Sequence, residues 1–268
     1  MNPLIEASEL TLRYGRKTAI DRLSFTLAAG RVVGLLGHNG AGKTSLMKAL
    51  VGLRRADEGR ISVLGLDPVR QREQLLQSLC YIPDVAILPR WARVEQLLTL
   101  MAGLHPRFSA ERARTLLSRT SVSLRDKVGS LSKGMMVQTH LALVAAIDAK
   151  LMVLDEPTLG LDVLSRQAFY EMLIGEWCDG ERSVLISTHQ VEEVEALLSD
   201  VMMLNEGRLV LDISLEEMDR RYRQGGTAAL TGHAPAPPAE SSDFQARPRL
   251  VDLFVALTRA PELNRTQP

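Results

Sequence analysis

Cysteine is scarce: the 268 residues hold two, Cys80 and Cys178, far apart in apolar or ordinary surroundings. Such a pair builds no disulfide framework, gives little support to a reactive thiol couple, and points to reduced structural thiols in a cytoplasmic protein. Net charge is absent as well, with 32 basic residues against 32 acidic. No global field draws in nucleic acid or anionic lipid, so no nucleic-acid partner is expected. Long apolar runs are missing too. The longest, such as Leu141 to Ile147, fall far short of the roughly 20 residues a membrane helix needs. Met1-Asn2-Pro3-Leu4-Ile5-Glu6 has no basic stretch leading into an apolar core, and no secretory signal is expected. If the protein serves a membrane, another chain supplies the membrane part.

What is present is a core and a phosphate-binding pattern. Hydrophobic residues make up 46% of the chain, and the length suits one large domain or two small ones at roughly 100 to 200 residues each. The stretch Gly37-His38-Asn39-Gly40-Ala41-Gly42-Lys43-Thr44 follows the strand-like Arg31 to Leu36 and leads into Ser45 to Leu50, which reads as a helix. Strand, glycine loop and helix form the context that a phosphate loop requires. Glycines let the backbone wrap an anion, so that successive N–H groups and the positive helix end point at the phosphates. Lys43 reaches the β and γ phosphates in this reading, and Thr44 places its hydroxyl on Mg²⁺. A chance glycine-rich turn would explain neither the Gly-Lys-Thr ending nor the motifs that follow.

Residues 3 to 12 and 17 to 27 alternate apolar and polar positions around Gly15, predicting two strands joined by a turn. Tyr14 sits at that turn. Its ring either stacks on an adenine or packs as an ordinary strand-end tyrosine. Gly59 to Gly65 predicts a further short strand of the same lobe, and Leu79 to Ile82 another, which ends at Pro83-Asp84. From about Arg93 to Ala149 the spacing is mostly helical, with a helix start at Ser109. This reads as a helical insertion within an α/β sheet. Leu151-Met152-Val153-Leu154-Asp155-Glu156 is an apolar run ending in two acids, as a buried parallel strand would be. Carboxylates at such a strand end face the crevice where ligands bind. Asp155 would hold Mg²⁺ beside Thr44, and Glu156 would take a proton from water attacking the γ-phosphate. Ser183 to Thr188 predicts one more strand, which ends at His189. On its own that histidine reads as a helix-capping residue.

Together these pieces resemble the nucleotide-binding subunit of an ATP-binding cassette (ABC) transporter, from about residue 3 to 222. After the phosphate loop come Leu131-Ser132-Lys133-Gly134-Met135, similar to the family's LSGGQ signature, then Asp155-Glu156, then Leu159-Gly160-Leu161-Asp162, and then His189. The resemblance implies a P-loop NTPase of ABC type: an α/β fold with a strand-rich N-terminal lobe, a RecA-like core and a helical subdomain. It implies ATP and Mg²⁺ as ligands, with Tyr14 at the adenine and Gly37, His38, Asn39, Gly40, Ala41, Gly42, Lys43, Thr44 and Ser45 at the phosphates. Thr44, Asp155 and Asp84 would serve the metal, and Glu156, His189 and Asp84 the hydrolysis. Two subunits, identical or different, would sandwich two nucleotides head to tail. Ser132, Gly134 and Asp162 of one would then act on the nucleotide of the other. A serine hydroxyl and backbone N–H groups at a helix start suit that role, and equally suit a plain helix cap.

The chain departs from the family pattern at three positions. Lys133 and Met135 stand where the commonest signature has Gly and Gln, and Asp84 stands where most relatives carry a Gln that touches Mg²⁺ and the attacking water. Ser-Lys-Gly-Met, the Leu104-His105-Pro106-Arg107-Phe108 stretch and the compact length look most like ATPase subunits of ABC-2-type exporters, the YtrB-like group. The expected organisation is an ATPase domain over 1–223 with its helical subdomain at about 90–149. A Pro/Ala/Ser-rich linker over 224–249 and a short tail helix over 250–268 follow. Closure on ATP would drive a separate membrane permease, contacted through Asp84 to Trp91, where Ile87, Leu88 and Trp91 either present a partner surface or pack on the helical lobe. The subunit would lie on the inner face of the membrane. The competing readings are a soluble ABC ATPase of translation, repair or regulation, and a regulatory nucleotide-binding module.

Overall fold

Strands that are buried at every position have no wet face, and three segments of this chain have that character. The computed structural model describes residues 3–84, 88–177 and 180–225, together with 249, 250, 252, 253, 255 and 257. Ile87, Cys178, most of the expected linker and most of the tail lie outside the described residues. The strands are β1 (Ile5–Tyr14), β2 (Lys17–Leu27), β3 (Val32–Leu36), β4 (Glu58–Val63), β5 (Leu79–Ile82), β6 (Leu151–Asp155), β7 (Ser183–Thr188), β8 (Asp200–Asn205) and β9 (Arg208–Ser214). The helices are α1 (Lys43–Leu50), α2 (Arg72–Leu76), α3 (Val94–Leu104), α4 (Ala110–Leu117), α5 (Lys133–Ala145), α6 (Val163–Trp177), α7 (Val191–Val194) and α8 (Leu215–Gly225).

Every residue of β3, β6 and β7 is buried, as parallel strands covered on both faces require. They form the centre of a six-stranded sheet, order β5-β6-β7-β3-β8-β9, in which β9 alone runs antiparallel to its neighbour. Successive side chains point to opposite faces, and the two faces feed two separate cores. Met152 and Leu154 join a large cluster with α3, α4, α5 and α6. Leu151 and Val153 join a second cluster with α1 and the three-stranded antiparallel sheet β2-β1-β4. By the same alternation Asp155 lies on the side of Val153, which is the side of α1.

The expected strand-rich lobe is the three-stranded sheet, and the expected helical insertion is α3 to α5, entered after β5 and left before its sheet neighbour β6. The predicted helix start holds: the Ser109 hydroxyl caps α4 by accepting the Arg112 N–H at 3.2 Å. Within the stretch of mostly helical spacing, residues 118–132 form no α-helix. Cys80 is buried in the larger core, which pushes its thiol up to about 12 and leaves it unreactive. Leu250 and Leu253, in the expected tail, are fully buried in that core as well.

Candidate nucleotide site

The loop between β3 and α1 has to reverse the chain in a few residues while leaving its N–H groups free. Gly42 makes this possible: it sits at φ 111, and a Cβ there would lie 2.4 Å from the Ala19 carbonyl oxygen. The first turn of α1 has no capping side chain and no acidic residue. Its orphan N–H groups and positive dipole end are therefore available to an anion. Lys43, only 6% exposed, folds back so that Nζ donates to the carbonyls of Gly37 at 2.7 Å and His38 at 3.3 Å.

The same ammonium group lies 3.1 Å from Glu156 Oε1, and Glu156 Oε2 lies 2.8 Å from His189 Nδ1. Lysine, carboxylate and imidazole thus form one chain of contacts. Glu156 occupies the left-handed region at φ 46, a conformation that costs of order 1–3 kcal/mol in a residue with a side chain. Its N–H is held by the Ser187 carbonyl at 3.2 Å and the Ser187 hydroxyl at 3.0 Å. The strained kink turns the carboxylate out of the strand line and toward Lys43.

Asp155 is fully buried one residue earlier. Its Oδ1 accepts the hydroxyls of Ser187 at 2.8 Å and Thr44 at 3.1 Å, while Oδ2 is buried without a partner. Burial is the main cause that holds its pKa above the ordinary carboxylate value. The two hydroxyls pull the other way, and the charges of Asp84 and Glu156 add to the rise. Tyr81, on the matching face of β5, is likewise shifted upward by burial and then by the Asp155 and Asp84 charges.

Lys43, Thr44, Glu156 and His189 line a cleft of about 550 Å³, whereas Asp155, an expected site residue, does not border it and reaches it through its contact with Thr44. Tyr14, Asn39, Gly40, Gly42, Lys43, Thr44, Ser45, Asp84, Glu156 and His189 all border it, as the sequence reading expects. Gly37, His38 and Ala41 do not: they belong to the loop, but His38 turns its Nε2 to Asn205 Oδ1 at 3.1 Å, and Ala41 is buried. Lys17, Ala19 and Leu159 border the cleft without having been expected. Lys17 pairs directly with Tyr14 across the β1–β2 turn, so the predicted hairpin contained that signal. Ser187 was missed as well, and its signal was a small hydroxyl directly after the apolar run Val184 to Ile186 of a central strand.

Ser132, Gly134 and Asp162 do not border the cleft. They cluster where α5 and α6 begin. The Ser132 hydroxyl caps α5 by accepting the Met135 N–H at 3.2 Å. Asp162 caps α6 by accepting the Ser165 N–H and hydroxyl, each at 2.8 Å, which holds its carboxyl below the usual range. A Cβ at Gly134 would come 2.2 Å from Ser165 Oγ, so glycine there lets the two helix starts touch. Lys133 ties this patch to the cleft wall, its Nζ donating to the Leu159 carbonyl at 2.6 Å. In the segment expected to meet a membrane partner, Trp91 is 76% exposed, whereas Leu88 is buried in the larger core and is not a surface residue.

The family model described as ABC transporter matches residues 20–159. The Nod factor export ATP-binding protein I of Sinorhizobium fredii is 35% identical over 214 residues, which cover 78% of this chain and 62% of that protein. The ABC transporter ATP-binding protein YtrB of Bacillus subtilis is 27% identical over 219 residues, covering 82% of this chain and 75% of that one. A solved structure of the ATP-binding subunit of an ABC transporter superposes with a TM-score of 0.77 at 26% identity, over 95% of this chain and 99% of the other. The chain belongs to the ABC transporter family, as one of its ATP-binding, ATP-hydrolysing subunits.

Proposed function

We propose that this subunit hydrolyses Mg-ATP to drive an exporter, closing on a second ATPase subunit and moving a separate membrane permease. The observation that carries the reading is the Lys43–Glu156–His189 chain of contacts beside the Thr44–Asp155 pair. Lys43 takes the β and γ phosphates and so leaves Glu156, whose carboxylate then accepts a proton from the attacking water. His189 orients that water and the γ-phosphate, with Asp84 beside them, and Tyr14 carries the adenine. The loop residues 37–45 supply backbone N–H groups to the phosphates.

Thr44 and Asp155 would hold Mg²⁺. An unpartnered buried carboxylate oxygen beside a hydroxyl is the hard oxygen set this ion takes together with phosphate oxygens and water. Among the described residues no three His, Cys, Asp or Glu converge on one point, in keeping with an ion shared between protein and substrate. When bound, Mg²⁺ supplies charge neutralisation at the β and γ phosphates.

Ser132, Gly134 and Asp162 act on the nucleotide of the second subunit, an identical copy or a different ATPase. The name of the Nod factor relative supports export. Among the described residues no helix is long and apolar enough to cross a membrane. In this reading the permease is a separate chain, which Trp91 helps to contact on the cytoplasmic face. The ATPase domain extends over 1–223, with the helical subdomain at about 90–149 and the linker and tail beyond. Capture of partners from detergent-solubilised membranes with the Glu156→Gln variant and Mg-ATP tests this. A multi-helix membrane protein recovered only with ATP is the expected result. Recovery of only ribosomal, DNA-bound or other soluble proteins would replace the transport reading with that of a soluble ABC ATPase.

A further inference from the structure

Tyr14 is 47% exposed and borders the cleft. Its ring also meets a cation: the Arg54 guanidinium carbon lies 5.3 Å from the ring centroid. Arg54 does not border the cleft, which puts the cation behind the ring and leaves the other ring face for a ligand. Arg54 is held in that place by two contacts of its own, and its partner Asp57 is fixed by two more. One terminal nitrogen donates to the Arg13 carbonyl at 2.6 Å and to Asp57 Oδ2 at 2.7 Å. The same Asp57 oxygen accepts the Arg13 N–H at 2.7 Å, and the Asp57 N–H donates to the Thr11 carbonyl at 2.9 Å. The turn after α1 is thereby laced to the end of β1 on both sides of the residue that precedes Tyr14. Arg54 Nε is buried and has no hydrogen-bond partner, so part of the guanidinium packs without an acceptor.

We propose that Arg54 is a positioning and specificity residue for the nucleotide base, a fixed cation behind Tyr14 that presets the ring and selects purine over pyrimidine nucleotides. The inference rests on the reading that Tyr14 carries the adenine. A cation on one face draws π density toward itself, and the opposite face then suits a large, electron-rich base. Presetting an exposed aromatic ring also removes the ordering cost that binding would otherwise carry. A pyrimidine covers less of the ring and gains less from both effects.

The test is equilibrium binding of ATP, CTP and inorganic tripolyphosphate to the unaltered chain and to Tyr14→Ala, Arg54→Met, Arg54→Lys, Arg54→Gln and the Tyr14→Ala/Arg54→Met double variant. Arg54→Met is expected to weaken ATP binding about 3- to 10-fold, to weaken CTP less, and to leave tripolyphosphate unchanged. Arg54→Lys recovers part of the loss. Arg54→Gln keeps a donor for the Arg13 carbonyl but no charge, so it behaves like Arg54→Met even if the latter fails to fold. The double variant binds ATP no more weakly than Tyr14→Ala alone. Equal losses for ATP and tripolyphosphate would overturn the inference, because the charge would then act on the phosphates. Full ATP affinity in both Arg54→Met and Arg54→Gln, with Tyr14→Ala impaired, would overturn it while sparing the adenine reading. Full ATP affinity in Tyr14→Ala would remove that reading and this inference together.

Discussion

In the cleft, the reactive groups are held by residues from distant parts of the chain: Lys43 and His189 on Glu156, and Thr44 and Ser187 on Asp155. In the patch, Ser132 and Asp162 bond only locally, Ser132 with Met135 and Asp162 with Ser165, each a helix cap, and the longer tie runs from Lys133 to the Leu159 carbonyl. The patch also leaves Val163 and Leu164 75% and 78% exposed. The fold of one chain therefore completes the cleft, whereas it gives the patch no chemical task of its own. A task on a second subunit, as proposed above, accounts for that difference.

Substitutions can break this contrast at either end. The largest effect is expected for Glu156→Gln, which should slow turnover about 10²- to 10⁴-fold while ATP still binds. Unchanged steady-state hydrolysis would remove Glu156 from its role. Lys43→Ala should weaken ATP binding itself, about 10- to 100-fold for a lost charge-assisted contact, and titration with a fluorescent ATP analogue would show it. Ser132→Ala sharpens the comparison from the other side. It should cost about 1 kcal/mol of stability through the lost helix cap and reduce hydrolysis, yet leave ATP affinity of the isolated chain intact; a loss of that affinity would place the patch in its own chain's site.

Asp155→Asn is expected to have the smallest effect on the fold, and of opposite sign. The folded pKa of Asp155 is raised, mainly by burial, so the folded state holds the proton more tightly than the unfolded one. Stability contributed by this group is therefore present at low pH and falls as pH climbs from the unfolded value through the raised one. At neutral pH the ionised carboxylate opposes folding. Thermal melts without nucleotide should show Asp155→Asn raising Tm by about 1–4 °C, with the gain shrinking as pH is lowered. A lower Tm at neutral pH would contradict the burial argument.

Much of the cleft was legible in the sequence because its signals are local in the chain. Gly-rich loop, Lys43 and Thr44 are contiguous, and the apolar run before Asp155 announces a buried strand end. The buried central strands were also readable, since β3 is apolar throughout and β6 is apolar up to Asp155; that they feed two separate cores was not. The left-handed Glu156 was not readable, because its kink depends on Ser187 from a strand 31 residues further on. Nor was the burial of Leu88, since a loop residue's neighbours come from packing rather than from spacing. Ser132, Gly134 and Asp162 were singled out through family resemblance. Within the chain they are helix caps and a close helix contact, features that spacing alone does not separate from a binding role.

The claim that cleft and patch meet only between two subunits is tested most directly by sedimentation of Glu156→Gln with saturating Mg-ATP. The expected result is a doubling of mass that requires ATP and disappears when Ser132→Arg is added, although each chain still binds the nucleotide. Full ATP occupancy on a chain that stays monomeric would contradict it.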